Sequence, residues 1–449
     1  MKTTVLVLGM LLLPAILVAD EVAVTVYNSN LGVVSETRLL EFDKGVGQLS
    51  FRDVPSAIDA SSVTFDVVDQ SGEVAILEQN YAFDLVSPEK IYTRFIDKEI
   101  DLVDKEGKLY SGRLLAYNKG AVTLMEKSGG IKIVQLANVT EVNFPQLPDG
   151  LVTRPTLFWR YSSNHDGSLP CRVGYQTGGI SWSAEYIGVL SDDEADLDLS
   201  GWASITNSSG KTYTDATLKL VAGDIHRARS AKKGRGMDME LMAVKAPAAG
   251  FEEKAFFEYH LYTLPRKATL ADREIKQISL FEPASTKVIK EFIYRPDKNP
   301  KKVEVALNFT NSSAAGLGMP LPAGRVRLFK ADDDGSLIML GEDRIDHTPR
   351  DEEIDLKVGY AFDIAAEERL MQRDQISHKV EDRTFEIELR NRKETSITIR
   401  IEKKLWGLWE VVEANYPYTI KDAQTLQFDI GTDAGETAVV TFKVRFTQR

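Results

Sequence analysis

The chemically capable residues of this 449-residue chain fall into a few groups. Trp406 and Trp409 lie three apart, and in a strand such a pair faces opposite sides, so one ring is the better candidate for exposure. For Trp182, Trp202, Trp406 and Trp409 the first expectation is filling of an inter-sheet core, and the sharper alternative is a platform on which a sugar stacks. Arg227, Arg229, Lys232, Lys233 and Arg235 crowd into nine residues. They read as a basic arm for an anionic partner such as lipid head groups, or as a solvated loop between strands. Asp192, Asp193, Glu194, Asp196 and Asp198, and the turn Asp332-Asp-Asp-Gly335, could offer oxygens to calcium. An EF-hand loop needs a glutamate at its twelfth position, and Glu342 stands at the eleventh from Asp332, so a hairpin turn is expected there.

Other chemistry is excluded by what is missing. There is no Gly-rich phosphate loop and no His-Glu-x-x-His. Gly178-Gly-Ile-Ser-Trp-Ser183 lacks the second glycine of a nucleophile elbow and reads as a strand entry. Cys171 is the single cysteine, which rules out an internal disulfide, and it behaves best as a small buried hydrophobe. Five scattered histidines give no His-rich metal tract, so no metal, cofactor or catalytic residue is assigned. The 67 acidic residues make many pairs, and sequence spacing says nothing about the separation a glycosidase needs. A hydrolase acting through an unrecognised carboxylate or serine therefore stays open as the alternative.

The elements that must position these groups are strands. Val22, Val24 and Val26 alternate with Ala23, Thr25 and Tyr27. The same period of two runs through Val303–Phe309, Phe385–Leu389, Ile397–Ile401 and Val440–Phe446. Each run has one face to bury and one to wet, which favours antiparallel pairing. Helical periodicity is nearly absent, with one weak candidate at Ala365–Gln372. The chain is expected to be all-β, with multiple immunoglobulin-like or β-sandwich lobes. A formal charge of −12 does not suit a protein whose main business is binding phosphate backbones, so nucleic acid is not an expected partner.

Four blocks are expected. Residues 1–19 hold Lys2 and a short apolar run from Val5 to Val18, too short to span a bilayer, and read as a cleavable signal peptide. Residues 20–87 read as a small sandwich. Residues 88–148 carry short strands and tight glycine turns, and are expected to close as a small SH3-like (Sm-like) barrel with Leu114, Val122, Leu124, Ile133 and Val142 among its core residues. Residues 149–449 form the large sandwich-rich part, interrupted at 226–254 by a stretch without periodicity, and trypsin is expected to cut first within Arg227–Lys245. No transmembrane segment is expected in the mature chain.

At residues 181–224 the pattern becomes specific. Trp182, Tyr186, Trp202, Asn207, Gly210, Tyr213, Asp215, Ala216, Leu218 and Gly223 have a characteristic spacing, and LPAGRVRLFK from Leu321 and the closing AVVTFKVRF continue it. This resembles a bacterial domain of unknown function carried by mucoidy inhibitor A-like exported proteins. The resemblance implies two sandwich-like lobes and supplies no catalytic residues. The coiled coil of those proteins is missing here, and the barrel-like block stands in its place. The expectation for function is an exported, non-enzymatic protein of the periplasm or cell envelope that binds or scaffolds a protein or glycan partner.

Overall fold

The structure, a computed structural model, describes residues 21–68, 72–148, 150–223, 251–257 and 259–447. The expected leader lies outside them. The described chain is β throughout, with one α-helix at Pro88–Arg94 and short 3-10 turns. Two compact units are present. One gathers residues up to 181 with 206–219 and 266–274, and the other holds 182–205, 220–265 and 275 onward.

In the first unit, one sheet runs in the order Tyr213–Ala222, Glu21–Tyr27, Leu31–Phe42, Gly167–Thr177 and Ile58–Val67. A second sheet has Thr156–Ser163 between Gly45–Arg52 and Val74–Ala82. The expected alternation is obeyed: Val24 and Val26 are fully buried, as is Leu218. Aromatic rings fill the core, with Trp159 stacked on Phe51 at 5.2 Å and Tyr161 edge-on to Phe42 at 5.0 Å. Each such buried side chain contributes about 1.5–3 kcal/mol. The strands of residues 20–87 thus take their partners from 156–177, beyond the boundaries drawn at 87 and 148. Residues 88–148 are inserted between two strands that pair with each other, Val74–Ala82 and Thr156–Ser163, and a bridge from Leu85 to Val152 closes the neck.

A charged cluster is buried inside this unit. Glu36, 2% exposed, accepts from Lys211 Nζ at 2.7 Å, from Arg38 Nε at 2.9 Å and from the Tyr175 hydroxyl. Lys211 Nζ also donates to the Asp53 carbonyl at 2.7 Å. Burial pushes the Glu36 carboxyl up, but the cations of Lys211 and Arg38 pull harder and hold it below its ordinary value. The turn Asn207–Gly210 delivers Lys211 to this place. Buried Asn207 donates to the Lys211 and Leu270 carbonyls and accepts from the Ser209 amide.

The inserted module departs from expectation in three ways. Its sheet runs Val139–Asn143, Glu99–Asp104, Leu109–Tyr117, Ala121–Met125, Ile131–Gln135, and no ladder joins the two edge strands among the described residues. The sheet nevertheless curls as a small SH3-like (Sm-like) barrel would, because the three-residue 3-10 turn Leu136–Asn138 links its two edge strands and so holds them close, around one apolar core. Ile133 points outward at 68% exposure, while Val134 faces Val122 and is buried. Two adjacent apolar residues made the face ambiguous, and the cross-strand partner decides it. The helix Pro88–Arg94 covers the core with Tyr92 and Phe95. Ser87 caps it, accepting from the Lys90 amide at 3.3 Å, with Pro88 and Glu89 in its first turn.

In the second unit, a six-stranded sheet packs Tyr186, Leu199 and Leu328, and includes a parallel pair between Ile180–Leu190 and Gly324–Ala331. A nine-stranded sheet follows, in the order Leu408–Ala414, Thr437–Thr447, Val380–Asn391, Glu353–Ser377, Lys302–Thr310, Ile289–Tyr294, Ile397–Lys404, Thr425–Thr432, Thr419–Asp422. It too holds a parallel pair, Ile289–Tyr294 with Ile397–Lys404, so pairing is not uniformly antiparallel. The helix candidate Ala365–Gln372 lies inside the 25-residue strand Glu353–Ser377. Its Ala and Glu content suits a helix, but Ile364 and Ala366 bury one face against the neighbouring strand, and that packing overrides propensity. The sheet curls on itself. Phe428 and Phe442, from its two ends, lie 5.2 Å apart, and Trp409 on one edge strand donates Nε1 to the Ala423 carbonyl at 3.0 Å. The result is a roll with an apolar interior.

Candidate functional site

The roll opens at one end, and period two explains what is found there. Ile399 and Ile401 face the core, and the next residue on that face is Lys403. Ile364 and Ala366 are followed on the same face by Glu368. Leu389, Ile387 and Phe385 lead to Arg383. Three apolar stripes thus end in charge at one mouth.

These charges are paired. Lys403 Nζ donates to Glu368 Oε1 at 2.9 Å and to Asp297 Oδ1 at 3.2 Å, and stands 5.3 Å from the Phe385 ring centroid. The other Asp297 oxygen accepts from the Lys404 amide at 3.0 Å. Lys404 Nζ reaches Thr425 Oγ1 at 2.6 Å and Asp422 at 3.5 Å. The Arg383 guanidinium lies over the Phe446 ring at 4.6 Å and pairs with Glu381. Hydrogen bonds from Arg373 and Arg383 hold the Glu381 carboxyl down to about 2. Burial raises Glu368 above its ordinary value, with Lys403 opposing.

Above these groups lies a cleft of about 790 Å³, within the range of small-ligand sites. Trp406 stands on its rim, 68% exposed. It is presented by a turn rather than a strand. Buried Leu405 anchors the turn by donating its amide to the Gln424 carbonyl at 2.7 Å, and Gly407 turns the chain at φ +91°. Trp409 packs against the roll interior. The two rings are therefore split into one exposed and one packed, although Trp406 owes its exposure to the turn and not to strand alternation.

The core-filling expectation holds for Trp182, which is buried and donates Nε1 to the Val221 carbonyl at 3.0 Å. It fails for Trp406 and for Trp202, 37% exposed. Arg227, Arg229, Lys232, Lys233 and Arg235 lie outside the described residues, as does most of the 226–254 stretch. Ser183 sits within the strand Ile180–Leu190. Asp332–Gly335 forms a hairpin turn, the Gly335 amide donating to the Asp332 carbonyl at 2.8 Å. Burial pushes the Cys171 thiol up to about 12. Sequence reasoning missed Lys403, Glu368, Asp297 and Arg383. The first two and Arg383 were legible as charges continuing an apolar face, but Asp297 comes from a turn far away in sequence.

Among the described residues, no helix is long and apolar enough to cross a membrane. No protein-family model matches the sequence, and no curated protein does.

Proposed function

We propose that this chain is an exported, non-enzymatic cell-envelope protein that binds a protein or glycan partner at the mouth of the nine-stranded roll. The short apolar leader supports export, and the resemblance to the mucoidy inhibitor A-like proteins agrees with an envelope setting. The observation that carries the binding reading is Trp406, a large ring held in solvent by an anchored turn above inward-facing polar groups. Exposed aromatic rings beside convergent polar groups are the usual anchors of recognition sites.

The hydrolase alternative needs one carboxyl group to serve as acid and another to be free as nucleophile or base. Asp297 has both oxygens engaged, by Lys403 Nζ and the Lys404 amide, and Glu368 is tied to the same ammonium. That arrangement favours binding over turnover. The test is co-sedimentation of the purified mature chain with insoluble cell-wall glycan and with envelope protein fractions. Retention that falls in Trp406→Ala supports the reading. Equal retention of wild type and variant, or none in any fraction, overturns it.

A further inference from the structure

The charge balance of the cleft bears on what it takes. Each charged side chain lining it already has an opposite partner: Lys403 with Asp297 and Glu368, Lys404 with Asp422, Arg383 with Glu381. An anionic ligand would meet a carboxylate already beside each cation, and a cationic one an ammonium or guanidinium beside each carboxylate, so full pairing with either sign means breaking an existing pair. The Lys403 and Arg383 pairs each contain a buried member, Lys403 itself and Glu381, so breaking either leaves a buried charge uncompensated, while the exposed Lys404–Asp422 pair adds little. The cleft therefore discriminates against both signs of charge.

What it offers a ligand is of another kind. The Trp406 ring presents an apolar face to solvent, and the side chain of exposed Gln424 lines the same cleft. The Lys403 ammonium, with three donors, makes hydrogen bonds to two carboxylates, and the Asp297 oxygens have lone pairs beyond those engaged. A pyranose ring is complementary to such a surface. Its C–H face lies against an indole, and its rim of hydroxyls both donates and accepts without bringing charge.

Resting on the binding reading above, we infer that the ligand of this cleft is an uncharged glycan segment, stacked on Trp406 and hydrogen-bonded by the paired Lys403 and Asp297 and by Gln424. The basis is the juxtaposition of a solvent-held ring with charges that are all internally neutralised.

The experiment is calorimetric and fluorescence titration of the mature chain with four probes. These are the neutral N-acetylglucosamine tetrasaccharide, the acidic galacturonic acid tetrasaccharide, and two short peptides of opposite net charge. The neutral sugar should bind, with an affinity insensitive to salt, since no counterions are released. Trp406→Ala should weaken it by about tenfold or more, equivalent to about 1.4 kcal/mol. Trp406→Phe, which keeps a stacking face, should recover most of the loss. Tighter binding of the acidic sugar or a peptide, falling steeply with salt and lost in Trp406→Ala, overturns the uncharged-glycan inference and leaves the binding site standing. So does envelope retention that depends on Trp406 while no neutral sugar binds. If Trp406→Ala binds every probe as wild type does, the site itself is misplaced.

Discussion

Lys211→Met should be among the most damaging single substitutions in the first unit. It removes the ammonium that lies 2.7 Å from Glu36 Oε1 and leaves a carboxylate of 2% exposure. Breaking a buried pair from one side costs about 3–5 kcal/mol. Arg38 and Tyr175 still bond Glu36, which places the loss near the lower end, about 3 kcal/mol. The readout is native-state amide exchange in Leu31–Phe42 and Gly167–Thr177, the strands that carry Glu36, Arg38 and Tyr175. There about 3 kcal/mol corresponds to exchange faster by roughly a hundredfold. The double variant Glu36→Gln, Lys211→Met removes the stranded charge and should recover most of that loss. The acid profile gives a second reading. Glu36 titrates lower in the folded state than in the unfolded chain, where its value is near 4.5, so its contribution is present above that pH and is lost as the pH falls through the folded value. Without Lys211 the carboxyl is held down less, and the acid-side loss of stability should flatten. Should Lys211→Met match wild type in exchange and acid profile, or the double variant be no better than the single, the cluster does not hold the unit together as argued.

Three further outcomes are expected. In the inserted module, Val134→Asp should unfold the five-stranded sheet, since it places a charge in a buried site, while Ile133→Asp should change stability by less than about 0.5 kcal/mol; amide exchange of the module separates them. Asn391→Leu should destabilise the roll by about 2–4 kcal/mol in chemical denaturation, because the two hydrogens of the buried amide serve the Thr395, Thr432 and Asp433 carbonyls at 2.9, 3.2 and 3.0 Å, one of them shared, and these carbonyls would lose that donor. Glu368 is held above its ordinary value by burial, so the folded state binds its proton more tightly than the unfolded chain and stability falls as the pH rises from 4.5 through the folded value. Glu368→Gln should remove that slope in thermal melts, with Asp297 still pairing Lys403; an unchanged slope would mean that Glu368 does not titrate there.

Particular residues show how much was legible beforehand. Alternation marked the core faces of Val24 and Val26, Ile399 and Ile401, and Val440, Phe442 and Val444, all of them buried. It marked them because a strand's side chains change face at every residue, a local rule that needs no partner. Where two apolar residues adjoin, as Ile133 and Val134 do, the rule gives no answer. The helix Pro88–Arg94, capped by Ser87, was not anticipated, because seven residues are too few to show a helical period.

The sequence by itself indicated that the chain is β-rich and that Cys171 is a small buried residue. These follow from composition, periodicity and spacing within a single segment. Only the tertiary structure decided that the strands before residue 87 pair with those after 156, that Val134 rather than Ile133 faces the core of the inserted sheet, and that Lys211 reaches Glu36. It alone brought Asp297, Glu368, Arg383 and Lys403 to one mouth beneath Trp406. The physical reason is the same in each case. A strand carries its pattern locally, but its partner is chosen by how the buried faces of distant strands fit together, and register along that partner determines which charges meet.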